Sequence, residues 1–120
     1  MLGSSAEGAV FTTGCWFYRL ARAAGASGPG TLTRRIEQLP ESSQRSVRQR
    51  LDDLPDDVGL LSLRVLVPIM QSLRVRRPLN MLNAEALAAA VVLDAPLLVS
   101  VDSDLLRSGA ADLSIDYRVV

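Results

Sequence analysis

The sequence of 120 residues contains no histidine and no lysine, and its 13 basic residues are all arginine. Without histidine the chain cannot carry Ser-His or Cys-His catalysis, and it lacks the metal ligand that proteins use most often. Without lysine it cannot form a Schiff base. The single cysteine, Cys15, has no partner for an internal disulfide and does not make a zinc site in a chain without histidine. Carboxylates are therefore the metal ligands that remain.

A strong net charge and a long apolar run are also missing. The formal net charge at pH 7 is +0, so binding of a polyanion requires a local cluster of basic residues. The longest apolar run, Ala86 to Leu93, is far shorter than the roughly 20 residues that span a bilayer, so we expect no membrane contact. The first residues lack the basic and apolar regions of a secretory signal, and we therefore expect a cytoplasmic protein.

The composition and the order of predicted elements indicate an α/β fold. A chain of this length that is 48% hydrophobic and 22% charged fits a single domain covering residues 1–120. A strand, several helices and then a β-α-α-β-α-β order favour a small, mostly parallel sheet flanked by helices. The predicted segments include a strand at Ala9–Phe11, a flexible loop at Gly25–Gly30, an apolar segment at Arg64–Leu73 interrupted by Pro68, a helix at Leu82–Leu93, a strand at Leu97–Val101 and an edge strand at Ile115–Val120.

Two acids, Asp102 and Asp104, directly follow the predicted strand that ends at Val101. In an open parallel sheet, ligands bind beyond the carboxyl ends of the strands, which makes these acids candidate metal ligands. The alternative is that Ser103 or Asp104 only caps the helix that follows, since acids and hydroxyls are common at helix starts. The residues alone leave both interpretations open.

The segment LNMLNAEALAAAVVLDAPLLVSVDSDLL, residues 79–106, resembles the C-terminal half of PIN domains. This is the fold of toxin nucleases from bacterial toxin–antitoxin modules. In that family an alanine- and leucine-rich helix opens with an acid, and a later strand ends in a Thr-x-Asp-x-Asp-like motif. Ser100–Asp104 matches this motif with serine for threonine. Val10–Gly14, VFTTG, is similar to the first strand of the family, which ends in Asp-Thr or Asp-Thr-Gly, with Thr12 where the first acid belongs.

The resemblance implies a three-layer PIN-like architecture and a metal-dependent ribonuclease. In the family, carboxylates hold magnesium or manganese, and the ion activates water for attack on an RNA phosphodiester. For this chain the resemblance implies Asp102, Asp104 and Glu85 as catalytic residues and metal ligands. Asn83 competes with Glu85 for the helix-opening position, because counting back from the turn after the helix selects Asn83 and counting from Asp102 selects Glu85.

The departures from the family pattern concern the metal site and the substrate. Thr12 is a poor metal ligand, and the mid-chain glutamate of the family has only Glu37 and Glu41 as candidates by distance along the chain. We assign Thr12 to substrate contact, together with a basic cluster that can hold phosphate. That cluster consists of Arg74, Arg76 and Arg77. The alternative for this cluster is a solvated helix end, where cations are favoured anyway.

Three functions remain open for this chain. The first is a magnesium- or manganese-dependent ribonuclease. The second is a PIN-like domain that no longer cleaves and instead binds RNA or a protein, such as a small antitoxin. The third is a structural homodimer in which the polar residues only cap helices. Thr12 in the place of the first acid favours the second function over the first. We also expect the strands carrying Phe11 and Val101 to be neighbours, with Asp102 within reach of Thr12.

Overall fold

The structure is a computed structural model that describes residues 2–4, 8–25 and 31–120. In chain order its elements are β1 (Leu2–Ser4), β2 (Val10–Thr13), α1 (Gly14–Gly25), α2 (Thr31–Glu37), α3 (Glu41–Asp52), β3 (Val58–Leu61), α4 (Leu63–Arg76), α5 (Met81–Leu93), β4 (Leu97–Val99), α6 (Asp104–Asp112) and β5 (Tyr117–Val119). This mixture of helices and strands confirms the predicted α/β class. Of the predicted loop Gly25–Gly30, Gly25 ends α1 and residues 26–30 lie outside the described part.

The chain divides into two compact units. The first consists of Met1–Trp16 and Asp57–Val120, and it contains the five strands of the sheet together with α4, α5 and α6. The second, Phe17–Asp56, contains α2, α3 and most of α1. The organisation as a single domain stays a prediction.

The sheet has the strand order β3-β2-β1-β4-β5. β2 pairs in parallel with β3, β4 pairs in parallel with β5, and β1 is antiparallel to both β2 and β4. Four strands therefore run in one direction, as the predicted mostly parallel sheet requires, and β1 runs against them. The expectation that the strands carrying Phe11 and Val101 are neighbours is wrong, because β1 lies between β2 and β4, which ends at Val99. Two strand spacings separate β2 from β4 by about 10 Å.

The centre of the first unit is α5. Every residue from Asn83 to Ala90 is buried, so this helix is covered on all sides and is not amphipathic. It contacts β1, β2 and β4 as well as α4 and α6. Small side chains let its neighbours approach closely: a Cβ added at Gly109 of α6 would lie 2.7 Å from Cδ1 of Leu87. In the described part of the chain, no helix combines the length and the apolar character needed to cross a membrane.

Helix α4 continues through Pro68, where the sequence predicts an interruption. A proline inside a helix removes one backbone hydrogen bond and normally kinks or ends the helix. Leu66, Met70 and Leu73 are buried at helical spacing on one face of α4, and this packing outweighs the lost hydrogen bond. At the start of the helix, the side chain of Ser62 accepts a hydrogen bond from the backbone N–H of Arg64.

Replacing Ala89 with arginine should destabilise the protein strongly, because Ala89 is only 3% exposed and the variant buries an unpaired charge. We expect a loss of about 3–5 kcal/mol in the free energy of unfolding, measured by urea denaturation followed by circular dichroism. Val91 lies on the same helix but is 41% exposed, so Val91→Arg should change stability by less than about 0.5 kcal/mol. Equal stability of the two variants would contradict the burial of α5.

Candidate functional site

The carboxyl end of β2 meets the acid of α5 inside the first unit. Thr13, the last residue of β2, and Glu85 are both 0% exposed. The Thr13 hydroxyl donates a hydrogen bond to Glu85 Oε1, and the backbone N–H of Trp16 donates to the same oxygen over 3.3 Å. The carboxylate of Glu85 is therefore tied to the end of β2 and to the first turn of α1.

Two further contacts join the first turn of α1 to α5. The indole Nε1–H of Trp16 donates to the carbonyl oxygen of Leu82 at 2.7 Å. The pKa of the Cys15 thiol is raised by hydrogen bonding to the nearby Glu85 carboxylate, by burial and by the negative charge of Glu85. A thiol that stays protonated is a weak nucleophile, so Cys15 is not an activated cysteine.

One oxygen of this cluster has no hydrogen-bond partner among the described residues. Glu85 Oε2 is buried and unpaired, although burying an unpaired carboxylate oxygen is unfavourable. The geometry also separates the two residues that compete for the helix-opening position. Glu85 faces the end of β2, whereas Asn83 lies in the first turn of α5, where its backbone N–H donates to Asn80 Oδ1 at 2.8 Å.

Asp102 is engaged by neighbours on α6 and β5. Its Oδ2 accepts from an Arg107 terminal nitrogen at 2.9 Å, while its Oδ1 accepts from Arg107 Nε at 3.3 Å and from the Tyr117 hydroxyl at 3.0 Å. The Arg107 guanidinium also lies 4.9 Å from the centre of the Tyr117 ring, within cation–π range. These two donors hold the pKa of the Asp102 carboxyl below its usual range. Asp102 is thus an ionised group whose charge is paired locally.

The neighbouring residues of the VSVDSD stretch start α6. Ser103 is the N-cap, and its Oγ accepts from the backbone N–H of Leu106 at 3.3 Å. Asp104 is the first residue of the helix and is exposed, in a position where a negative charge interacts favourably with the helix dipole. Capping therefore accounts for Ser103 and Asp104, and the ion pair with Arg107 accounts for Asp102.

The structure does not bring the predicted metal ligands together. Glu85 lies buried at β2, Asp102 lies next to β5, and β1 passes between β2 and β4. Within residues 2–4, 8–25 and 31–120, no group of three Asp, Glu or Cys side chains has the spacing of a metal site. Mg²⁺ requires about six oxygen ligands in near-octahedral geometry, and Glu85 Oε2 offers one. The described residues therefore do not fit a magnesium or manganese ion.

The predicted substrate residues are placed in different environments. Thr12 is 6% exposed within β2. Arg74 and Arg76 are exposed near the C-terminal end of α4. Arg77 is half-buried, forms an ion pair with Asp112 and donates to Ser108 Oγ at 3.1 Å. Arg76 and Arg77 share a cleft of about 160 Å³ with Asp112. Arg74 and Arg76 are therefore the members of the basic cluster that solvent reaches most easily.

The two candidates for the mid-chain glutamate belong to the second unit. Glu37 is the last residue of α2 and Glu41 is the first residue of α3, and both are exposed. In the described part of the chain, no observed contact links either glutamate to the candidate site residues.

Three side chains that hydrogen-bond the candidate acids are not predicted from the sequence. Arg107 and Tyr117 bind Asp102, and Thr13 binds Glu85. Strand pairing gives no signal for Tyr117, because the parallel register places it opposite Leu97, five residues before Asp102, and only its side chain reaches Asp102. Thr13 was overlooked because the family motif puts its acid at Thr12.

Comparisons with protein-family models, with curated proteins and with solved structures find no match to this chain. The resemblance to PIN domains consequently depends on the sequence motifs alone and stays a prediction. The contacts of Glu85 and Asp102 do not depend on that resemblance.

Replacing Thr13 with valine should leave Glu85 Oε1 without its hydroxyl donor and lower the free energy of unfolding by about 1–3 kcal/mol. In a Glu85→Leu background the same change should have little effect, because the acceptor is gone. Urea denaturation of the four proteins measures this coupling. Ser103→Ala, which removes the cap of α6, serves as the control and should lower stability equally in both backgrounds. Additive effects of Thr13→Val and Glu85→Leu would contradict the buried hydrogen bond.

Asp102 should make stability depend on pH in acid. Because its pKa is lower in the folded protein than in the unfolded chain, the ionised carboxylate stabilises the fold above the usual aspartate pKa. This contribution is lost as the pH falls through the folded-state pKa. Asp102→Asn should therefore be less stable than the wild type at neutral pH, and the two melting temperatures should converge on acidification. In an Arg107→Gln background the difference at neutral pH should shrink; a difference that is independent of pH would contradict the pairing.

Proposed function

We propose that this chain is a PIN-like domain that no longer hydrolyses RNA and works as a non-catalytic, RNA-binding module in the cytoplasm. The observation that carries this proposal is the separation of the acids. Glu85 is fully buried and hydrogen-bonded to Thr13, whereas Asp102 forms an ion pair with Arg107 at the surface. Hydrolysis by metal-activated water needs several carboxylates around one ion, which this arrangement does not supply.

The same contacts give each acid a structural role. Glu85 accepts hydrogen bonds that join β2 and α1 to α5, and Asp102 accepts hydrogen bonds that join the start of α6 to β5. Neither of these structural roles requires a bound metal.

Arg74 and Arg76 support RNA as the ligand. Both side chains are exposed near the C-terminal end of α4, and neither forms an ion pair with another described residue. Arginine matches the geometry of phosphate oxygens well, and a local cluster can hold phosphate on a protein whose formal net charge is +0. Arg77 already forms an ion pair with Asp112, so it contributes less to the attraction of RNA phosphates.

A protein partner is the second candidate, favoured by the apolar surface of α4. Leu63 and Val67 lie four residues apart on one face of α4 and are 39% and 44% exposed. Exposed apolar residues near one another are typical of surfaces that other proteins cover. A small antitoxin that packs an apolar helix against α4 would fit this surface.

One set of assays with labelled single-stranded RNA tests the proposal. Wild type should cleave no faster in magnesium or manganese than in EDTA, and no faster than the double variant Glu85→Gln/Asp102→Asn. In filter binding at low salt, Arg74→Ala/Arg76→Ala should retain several-fold less RNA than wild type. If two arginines contact phosphate, wild-type affinity should fall about sevenfold between 50 and 200 mM salt, from a slope of about −0.7 per contact on single strands.

Arg64→Ala is the matched control, because Arg64 is an exposed arginine at the opposite end of α4. It should retain RNA like the wild type. Metal-dependent cleavage that disappears in the double acid variant would overturn the loss of hydrolysis. If the wild type and the Arg74→Ala/Arg76→Ala variant retain equal amounts of RNA, RNA is ruled out as the ligand of this cluster and a protein partner remains as the candidate.

A further inference from the structure

Among the described strands, β5 is an outer edge of the sheet and pairs with β4 alone. The backbone N–H of Leu97 donates to the carbonyl oxygen of Asp116, and the N–H of Val120 donates to the carbonyl oxygen of Val99, both at 2.8 Å. Asp116 and Val120 therefore direct these groups toward β4. Because backbone groups alternate in direction along a strand, the N–H and C=O of the odd-numbered residues of β5 point away from β4. Such a row of free backbone groups can pair with a further strand.

Side chains along this edge are accessible. The side chains of Asp116 and Arg118 are 55% and 58% exposed, and they form an ion pair with each other. Val119 is 48% exposed. Proline, a bulge or an inward-pointing charge often blocks pairing at an edge strand, and the stretch from Ile115 to Val119 contains no proline.

The sequence of the edge is complementary to itself. Read outward from Tyr117 in both directions, Ile115–Val119 is apolar, acidic, aromatic, basic and apolar. In an antiparallel pair centred on Tyr117, Asp116 of one copy lies opposite Arg118 of the other, and this happens twice. Ile115 likewise lies opposite Val119; its N–H already donates to the carbonyl oxygen of Ala110 at 2.8 Å, so there it can offer only its carbonyl oxygen. Opposite charges and apolar pairs directly across two strands stabilise a sheet, and like charges there destabilise it.

We propose that two copies of this chain associate through antiparallel pairing of their β5 edges, centred on Tyr117. The two five-stranded sheets then form one continuous sheet around a twofold axis. Tyr117 of each copy exchanges both backbone hydrogen bonds with its counterpart, because its N–H and C=O face outward. A register centred on Arg118 would place two arginines opposite each other, so the charge pattern selects the register centred on Tyr117.

The opposite edge of the sheet, β3, does not share this property. Its residues Val58–Leu61 carry no charge, so substitutions of Asp116 and Arg118 would not weaken a dimer formed through β3. A pairing of only five residues buries less surface than a standard interface, and we expect dissociation constants on the order of 10–100 μM. Charge reversal at β5 therefore distinguishes the two edges.

The experiment is sedimentation velocity of the full chain over a concentration series up to several hundred micromolar. Wild type should shift from monomer to dimer. Asp116→Arg and Arg118→Asp each place like charges opposite each other at two symmetric positions, and each should weaken the dimer at least tenfold. Mixing the two single variants restores opposite charges across the pair and should give a heterodimer. The exchanged variant Asp116→Arg/Arg118→Asp should dimerise like the wild type.

Two controls separate pairing from folding. Val119→Pro removes an N–H that faces away from β4, so it should abolish the dimer while the circular dichroism spectrum stays unchanged. Arg64→Asp makes the same change of charge on α4 and should leave the dimer intact.

A wild type that remains monomeric at the highest concentration overturns the proposal and leaves the edge for a strand of another protein. A dimer that neither single charge variant weakens also overturns it, because the interface must then lie elsewhere. Failure of the mixed single variants to form a heterodimer contradicts the register centred on Tyr117. Formation of that heterodimer from two weakly associating variants supports the proposal even if Val119→Pro does not fold.

Discussion

The fold of the first unit depends on the burial of α5 on all sides. Eight consecutive positions, Asn83 to Ala90, are covered by strands and by two helices. A helix buried in this way cannot leave a polar side chain to water, so Glu85 has to find its partners within the protein. The Thr13 hydroxyl and the Trp16 backbone N–H are those partners. One buried carboxylate thereby fixes where β2 ends and α1 begins relative to α5.

The position of β1 decides what the acidic residues can do together. As an antiparallel strand between β2 and β4, it moves the carboxyl ends of these two strands apart. The acid that follows β4 then lies closer to β5 and α6 than to β2, and it pairs with Arg107 and Tyr117. A short strand far from the acids in sequence therefore separates two acids that the predicted motifs would place side by side.

Much of the helical framework could be predicted from the sequence, whereas the pairing of side chains could not. The alanine and leucine run of α5 lies between Asn80, which caps the helix, and Pro96, so a local pattern defines both ends. β1 has three residues, too few for an alternating pattern to be recognised. Two features depend on residues that are distant in sequence and meet only in the folded protein, so local patterns do not predict them. They are the continuation of α4 through Pro68 and the hydrogen bond from Tyr117 to Asp102.

The location of Trp16 gives the protein an internal optical probe. It is the only tryptophan of the chain, and its indole is held against α5 by the hydrogen bond to the Leu82 carbonyl. Indole emission responds to the polarity of its surroundings, so fluorescence of the unlabelled protein monitors this one junction, whereas far-ultraviolet dichroism averages over all helices. The two signals together would show whether the contact between Trp16 and α5 opens before the rest of the molecule unfolds.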